Sequence, residues 1–371
     1  MAPAYALVLS VAVMAPLFAP GYLLLRDAVS TPRSYLSDAA LGLSESAPRA
    51  LPQDFAVALA SSVIDGGLAV KVLLATGLWL AGWGAARLVV QLLPEAGVAG
   101  QCVAVTMSIW NPYVAERLLQ GHWSLIVGYG CLSWAATTML RMRTSAPGWS
   151  GVCALVFWTA LAGLTPTGLM MAATVALAGV FAPGGGWRRW RCATAALGAA
   201  VLAALPWLTA AMVSGSLASS QAEGVRAFAA RAEPGLGTLG SLAGLGGIWN
   251  GEAVPASRTT LFAVIAVAVL LAIVALGLPA ILRRPAAVPL LCLAAVAVVA
   301  PAVMATGPGL AVVEATIRAL PGLGVLRDAQ KWVALAVPGY AVAGAGAVVT
   351  LRHRLPTVAT AVICCAALMA T

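Results

Sequence analysis

Long apolar stretches separated by polar segments dominate the hydrophobic pattern of this chain. A helix needs about 20 apolar residues to cross the roughly 30 Å hydrocarbon core of a bilayer, and such runs recur along the whole sequence. The pattern predicts nine membrane spans at residues 4–25, 66–86, 97–114, 124–140, 192–213, 259–282, 286–305, 329–350 and 355–371.

Two shorter apolar pieces, 149–164 and 166–182, are separated only by Thr165-Pro166-Thr167. Because proline breaks a helix and restricts the residue before it, they predict a helical hairpin. The sequence thus predicts an all-α polytopic transmembrane bundle of about eleven spans, forming one membrane domain over residues 1–371. The final run ends without a polar tail, which leaves open a fragment truncated at its C-terminus.

Composition supports a membrane protein. Hydrophobic residues make up 61% of the chain, charged residues only 9%, and the mean hydropathy is +0.96. Soluble domains carry about 25% charged residues, so the composition excludes a water-soluble domain. The first apolar run has no basic segment before it and therefore resembles a retained span rather than a cleaved signal peptide.

Arginine positions predict the orientation, because short loops rich in Lys and Arg stay on the cytoplasmic side. Ten arginines fall in five alternate loops: Arg87, Arg141, Arg143, Arg188, Arg189, Arg191, Arg283, Arg284, Arg352 and Arg354. The N-terminus is then cytoplasmic, and the segments 26–65, 115–123, 214–258 and 306–328 are exoplasmic loops. The predicted location is the plasma membrane, with multiple passes.

Acidic residues follow the opposite distribution. Eleven of the twelve lie on the predicted outer side, and Glu95 alone lies inside. Loop length explains most of this asymmetry, because the outer loops are much longer than the inner ones. The net charge of +9 comes from the inner arginines, so it reflects topology and not nucleic-acid binding. Long ordered loops are usually functional, which places the predicted working site on the exoplasmic face.

Cysteine and histidine patterns indicate no metal or redox site. All seven cysteines lie within or at the ends of apolar runs, where small packing residues are expected, and none lies in an outer loop that would favour disulfides. The sequence has no CxxC, no metal-spaced histidine cluster and no phosphate-binding glycine loop. We therefore expect no cofactor, and divalent-metal dependence is doubtful.

The first polar constellation follows span one, in PGYLLLRDAVSTPRSYLSDAALG. Arg26 and Asp27 form an opposite-charge pair at the water interface, and Asp38 follows in the same loop. A carboxylate at the mouth of an apolar bundle is suited to act as a general base, so Asp27 and Asp38 are the catalytic candidates. The alternative is that Arg26 and Asp27 only mark the membrane boundary.

The second constellation is SIWNPYVAERLLQGHW, where Glu116, Arg117 and His122 share a short, charge-dense loop. Arg117 is a candidate phosphate ligand, oriented by Glu116 or His122. The third is GLGVLRDAQKW, with Arg327, Asp328 and Lys331 at the outer start of span ten.

Arg327 and Lys331 lie four residues apart and share one helix face. Positive charge at a helix N-terminus is otherwise unfavourable, so this pair predicts a phosphate site. In the same region, Leu310–Leu320 predicts a short amphipathic helix on the membrane surface.

Together, NPYVAERLLQGHW and LRDAQKW resemble actinobacterial members of the GT-C superfamily, which are integral-membrane glycosyltransferases related to arabinofuranosyltransferases and mannosyltransferases. The resemblance covers most of the chain as topology but only about 50 residues as motif. It implies a polyprenyl-phosphate sugar donor, a glycan or glycolipid acceptor in the cell envelope, and inversion at the anomeric centre. Asp27 or Asp38 would deprotonate the acceptor, while Arg117, Arg327 and Lys331 would hold the donor phosphate. Membrane lipid is the other expected partner.

The chain also departs from that family. Ala28 follows Asp27, so there is no adjacent acidic pair and no DxD motif, and no exoplasmic carbohydrate-binding domain follows. Two other functions stay open: a lipid or polysaccharide transporter or flippase, which would place ionisable residues inside the spans, and a non-catalytic scaffold with the GT-C fold.

Overall fold

Helices make up most of the computed structural model, which describes residues 1–44, 50–145, 148–215 and 222–371. Glu45, which the sequence places in the first outer loop, lies outside these residues. The α-helices are α1 (Ala2–Met14), α2 (Asp38–Leu41), α3 (Gln53–Ala60), α4 (Gly66–Leu92), α5 (Gly97–Ile109), α6 (Pro112–Gln120), α7 (Trp123–Thr144), α8 (Trp149–Ala162), α9 (Pro166–Val180), α10 (Arg189–Val213), α11 (Gly237–Ala243), α12 (Phe262–Ile281), α13 (Val288–Met304), α14 (Gly307–Ala319), α15 (Val337–Leu351) and α16 (Thr357–Met369).

Strands β1 (Leu24–Leu25) and β2 (Ala28–Val29) form one small antiparallel hairpin, the only sheet in the described part of the chain. The all-helical class predicted from the sequence agrees with this content.

Four helical stretches among the described residues are long and apolar enough to cross a membrane: Gly66–Leu92, Arg189–Val213, Phe262–Ile281 and Ala329–Leu351. Helices α13 and α14 pass the same test only as a pair that is bent by 93°. The structure therefore has four candidate spans, or up to five, and agrees with a membrane protein. The figure of eleven spans stays a prediction, because several other apolar helices are shorter.

Two predicted spans end earlier than their apolar runs. The first was expected over 4–25, but α1 ends at Met14 and a 3-10 turn ends at Phe18, because Pro16 and then Pro20-Gly21 interrupt the helix. The third was expected over 97–114, but α5 ends at Ile109. The segment that follows is helical, so the predicted loop 115–123 lies largely within α6.

The pair α8 and α9 is separated at Thr165, whose side chain caps α9 by accepting a hydrogen bond from the Gly168 N–H at 3.0 Å. This break agrees with the predicted hairpin. The stretch predicted as a surface helix, Leu310–Leu320, is helical up to Ala319, within α14. Span ten, expected over 329–350, consists of a 3-10 segment, Ala329–Ala336, continued by α15.

The core is built around α4, α5, α7, α12 and α15, whose facing residues form one large buried cluster. Helices α12 and α15 touch backbone to backbone. A Cβ added at Gly277 would collide with the Ala343 carbonyl, and one added at Gly346 would lie 2.6 Å from the Gly277 carbonyl oxygen. Small residues at such contacts let helices approach closely.

The long helices separate two chemically different ends of the bundle. Arg258 precedes α12 and Arg283 follows it, while Lys331 and Arg352 lie at the two ends of the stretch Ala329–Leu351. The predicted exoplasmic residues therefore gather at one end, and the arginines of the predicted inner loops gather at the other.

Candidate functional site

Helix α6 presents charged residues to the protein interior. Its N-terminus is fixed by Asn111, whose side chain accepts a hydrogen bond from the Val114 N–H at 3.0 Å, and by Pro112 in the first turn. On one face Glu116 and Arg117 are completely buried, although these residue types are almost never fully buried unless paired. Their partners must therefore come from elsewhere in the fold.

The β-hairpin brings Asp27 to the end of α6. The Asp27 N–H donates to the Gln120 carbonyl at 3.1 Å, and Nη1 of Arg26 donates to the Leu119 carbonyl at 2.6 Å. Gly121, with φ of +85°, lies against the hairpin, and a Cβ there would lie only 2.6 Å from the Leu25 carbonyl oxygen. Glycine at this position allows both the left-handed turn and the close contact.

His122 joins Asp27 to Arg117. Its Nε2 lies 2.9 Å from Oδ2 of Asp27, and its Nδ1 lies 3.1 Å from Nη1 of Arg117. A guanidinium only donates hydrogen bonds, so Nδ1 accepts, and the proton of the neutral imidazole lies on Nε2 and is donated to Asp27. Burial lowers the pKa of His122 to about 4; Asp27 opposes this shift and Arg117 adds to it.

Asp27 remains accessible from the surface. Its side chain is 37% exposed, and Nε2 of Gln120 donates a second hydrogen bond to the same Oδ2 at 3.0 Å. Two neutral N–H donors thus orient one carboxylate at the edge of the bundle. This arrangement leaves the carboxylate within reach of a substrate.

Asp328 provides the buried negative charge next to Arg117. Its Oδ2 lies 3.5 Å from Nη1 of Arg117 and 3.3 Å from Nζ of Lys331. Burial alone would raise the pKa of Asp328, but Lys331 and Arg117 outweigh it and lower that pKa below its ordinary value. The side chain of Lys331 is 24% exposed, so it connects the buried pair to the surface.

Several buried polar atoms near this pair have no hydrogen-bond partner among the described residues. They include Nε and Nη2 of Arg117 and Oδ1 of Asp328. Leaving a buried donor unsatisfied costs about 1–3 kcal/mol, and more for a charged group. Such exceptions are often found where a protein binds or transforms a ligand.

Glu116 has a separate set of partners. The N–H groups of Gly247 and Ile248 donate to its Oε1 at 3.0 and 3.3 Å, and Nε2 of Gln330 donates to its Oε2 at 3.0 Å. Complete burial raises the pKa of Glu116 to about 8, although Arg117 lowers it. Glu116 therefore ties α6 to the segment that precedes α12 and to the start of span ten.

We call this group the polar cluster: Asp27, Glu116, Arg117, Gln120, His122, Asp328, Gln330 and Lys331. The structure brings together six of the eight residues predicted from the sequence. Gln120 and Gln330 were missed, because an amide in an amphipathic stretch gives no signal by itself. Their partners lie 93 and 214 residues away in the sequence, so no local pattern predicts these contacts.

The two remaining candidates lie beside the polar cluster or apart from it. The Arg327 guanidinium stacks on Phe228, with its Cζ 4.2 Å from the ring centroid, and Arg327 adjoins Asp328 in the chain. Asp38 is exposed in the first turn of α2. No contact with the polar cluster is seen for Asp38 among the described residues, so the geometry distinguishes it from Asp27.

A groove of about 530 Å³ lies between α1, α6, α12 and α16. Apolar side chains, including Val13, Leu118 and Phe262, line most of it, and Asn111 and Arg258 supply polar edges. Helix α6 separates this groove from the polar cluster, and the described lining contains none of the predicted site residues. The groove and the polar cluster nevertheless adjoin. Leu118 lines the groove, and the carbonyl of the next residue, Leu119, accepts a hydrogen bond from Arg26, the neighbour of Asp27 in the chain.

A second buried ion pair, between Arg258 and Glu233, lies next to this groove. Arg258 donates to both carboxylate oxygens of Glu233, with its Nε 3.1 Å from Oε1, and both side chains are nearly inaccessible. Arg258 thus fixes the segment whose backbone N–H groups hold Glu116.

No group of three or more His, Cys, Asp or Glu able to hold a metal ion occurs among the described residues; metal independence stays a prediction.

Neither protein-family models nor curated proteins nor solved structures gave a match to this chain.

Proposed function

We propose that this chain is a membrane glycosyltransferase that transfers a sugar from a polyprenyl-phosphate donor to a cell-envelope glycan or glycolipid at the exoplasmic face. One observation carries the proposal: an accessible carboxylate, Asp27, is oriented by His122 and Gln120, and His122 connects it to the buried charges of Arg117 and Asp328.

In the proposed step, Asp27 takes the proton of the acceptor hydroxyl as its oxygen attacks the anomeric carbon. The bond between that carbon and the phosphate oxygen breaks, and its electrons leave with polyprenyl phosphate. Attack opposite the leaving group inverts the configuration. A positioned general base contributes typically 10²–10⁴-fold to the rate. His122 acts as a positioning residue, because its Nε2–H fixes the orientation of the Asp27 carboxylate.

Cations in the polar cluster and next to it suit the phosphate that leaves. Lys331 and Arg327 are partly accessible, and two guanidinium nitrogens of Arg117, Nε and Nη2, have no hydrogen-bond partner among the described residues in a buried setting. Cationic donors aimed at developing negative charge are worth more where water is excluded. In this proposal Lys331 and Arg327 contact the phosphate directly, and the buried charge of Arg117 stabilises it from the interior of the protein.

The apolar groove fits the prenyl tail. Ligand pockets of about 300–1,000 Å³ with mainly apolar linings and a few polar groups are typical binding sites, and this groove has that size and character. The tail would lie along α6, with the phosphate near the end of α6 where Arg26 and Asp27 meet its last carbonyls.

The test is transfer by the purified full chain from a panel of polyprenyl-phosphate pentoses and hexoses, with the anomeric configuration read by NMR. Asp27→Asn should lower turnover by about 10²–10⁴-fold with unchanged expression. Asp38→Asn is the matched control, because it removes an exposed acid from the same predicted loop, and it should leave turnover intact. Equal turnover of Asp27→Asn and wild type would remove Asp27 as the base.

The alternatives give different results in the same assay. A transporter or flippase would move a labelled lipid-linked substrate across proteoliposomes without forming a product. A non-catalytic scaffold would do neither with any donor of the panel.

A further inference from the structure

A second cavity of about 530 Å³ lies at the arginine-rich end of the bundle, opposite the polar cluster. It is formed by the carboxyl ends of α12 and α15 and by the short turn Pro94–Ala96. Arg283, Arg284, Arg352 and His353 line it together with Glu95. Three segments that are distant in sequence thus direct their charged residues into one space.

The cavity carries excess positive charge. Three guanidinium groups face a single carboxylate, which Arg284 occupies as an ion pair. Nε of Arg352 donates to Nε2 of His353 at 3.3 Å, and neither Arg283 nor Arg352 has a carboxylate partner within the described ranges. The three arginines therefore exceed the single carboxylate by two charges.

Topology alone does not account for this arrangement. Arginines at inner loops follow from membrane insertion, and positive charge suits helix carboxyl ends. The first rule is satisfied equally by Arg188 and Arg189, which lie exposed at the start of α10, where the helix dipole does not favour them, and which do not line this cavity. Convergence of the arginines on a cavity, with apolar walls from Pro279, Ala280 and Val349, needs a further explanation.

We propose that this basic pocket binds the phosphate headgroup of an anionic phospholipid from the adjacent leaflet. Arginine forms bidentate hydrogen bonds with phosphate oxygens, and basic pockets between transmembrane helices at the cytoplasmic side recognise such headgroups. Arg283 and Arg352 bind the phosphate, Arg284 is held in place by Glu95, and the apolar wall receives the first acyl carbons. This inference is independent of the proposed glycosyltransferase activity.

The test uses the purified full chain in nanodiscs of phosphatidylcholine with increasing phosphatidylglycerol. Native mass spectrometry then counts the lipid molecules that stay bound when the protein is released from the nanodisc. The double variant Arg283→Gln/Arg352→Gln should weaken retention of phosphatidylglycerol by at least about tenfold, because two arginines that hydrogen-bond the phosphate are lost. Arg188→Gln/Arg189→Gln is the matched control, with the same change of charge at the same end, and should retain the lipid like wild type.

A second variant separates lost binding from lost folding. Glu95→Gln removes the competing carboxylate and should strengthen retention of phosphatidylglycerol, which a misfolded protein cannot do. Equal loss in the control pair, no gain in Glu95→Gln, or binding of free inorganic phosphate without preference for the lipid would each overturn the proposal.

Discussion

Nε2 of His122 lies 2.9 Å from Oδ2 of Asp27, although 95 residues separate them in the chain. The contact depends on Arg117, which occupies the other ring nitrogen at 3.1 Å and so fixes the tautomer that donates to Asp27. The exposed acid is thus connected to the buried charges through one imidazole.

Replacing His122 should lower the rate of sugar transfer and change how the stability of the fold depends on pH in the acidic range. The pKa of His122 is lowered to about 4 in the fold, against about 6.5 when unfolded, so the unfolded chain binds more protons between these values and stability falls as pH drops from 6.5 to 4. Thermal unfolding of His122→Gln should lack this loss. An unchanged acid limb would contradict the burial of a neutral imidazole.

Glu116 should produce the opposite pH dependence. Its pKa is raised to about 8, above the unfolded value of about 4.3, so its contribution is present below pH 4.3 and is lost as pH rises towards 8. In Glu116→Gln the melting temperature should vary less between pH 5 and 8 than in wild type. Parallel curves for the two proteins would show that Glu116 is ionised throughout.

Asp328→Asn should destabilise the fold strongly. It removes the carboxylate that faces Arg117 at 3.5 Å, and an unpaired buried charge costs about 3–5 kcal/mol. Asp38→Asn, at an exposed site, should change stability by less than about 0.5 kcal/mol. Adding Arg117→Met to Asp328→Asn should restore part of the loss in denaturant unfolding; strict additivity would mean that the two residues are not coupled.

Gly121→Ala tests the contact between α6 and the hairpin. The substitution strains a left-handed residue and also pushes a Cβ against the backbone of β1 and β2, so it should displace Asp27 and reduce transfer as well as stability. Gly97→Ala is a control with φ of +56° and open space around the added carbon. Its ψ of −157° lies in a region that only glycine adopts readily, so the substitution should cost about 1–3 kcal/mol and leave turnover unchanged.

Ala115→Phe tests the groove. Ala115 lies on the wall of α6 that faces it, so a phenyl ring should exclude a long prenyl tail. We expect KM for long-chain donors to rise at least about tenfold, since each buried CH₂ contributes about 0.8 kcal/mol, while short-chain donors serve as the control and bind unchanged. An equal rise of KM for long-chain and short-chain donors would show that the prenyl tail does not bind in this groove.

Local signals in the sequence predicted the helical class and the break at Thr165, because proline and a capping side chain act within a few residues. The boundary of the first span was wrong because Pro16 and Pro20-Gly21 interrupt the helix inside an apolar run, and Leu24 and Leu25 form a strand instead. Glu116 was expected in a short loop, but it is buried in α6 because Gly247 and Ile248, more than 130 residues away, donate to it. Such pairings arise only from tertiary packing.

The backbone contact between Gly277 and Gly346 holds α12 and α15 together as one rigid pair of helices. Because a helix of 20 residues is about 30 Å long, this pair reaches from the segment that holds Glu116 to the basic pocket. The two helices cannot slide past each other without separating their touching backbones. We therefore expect a tilt imposed where Arg283 and Arg352 lie to move Arg258 and Lys331 at the far side of the bundle as well.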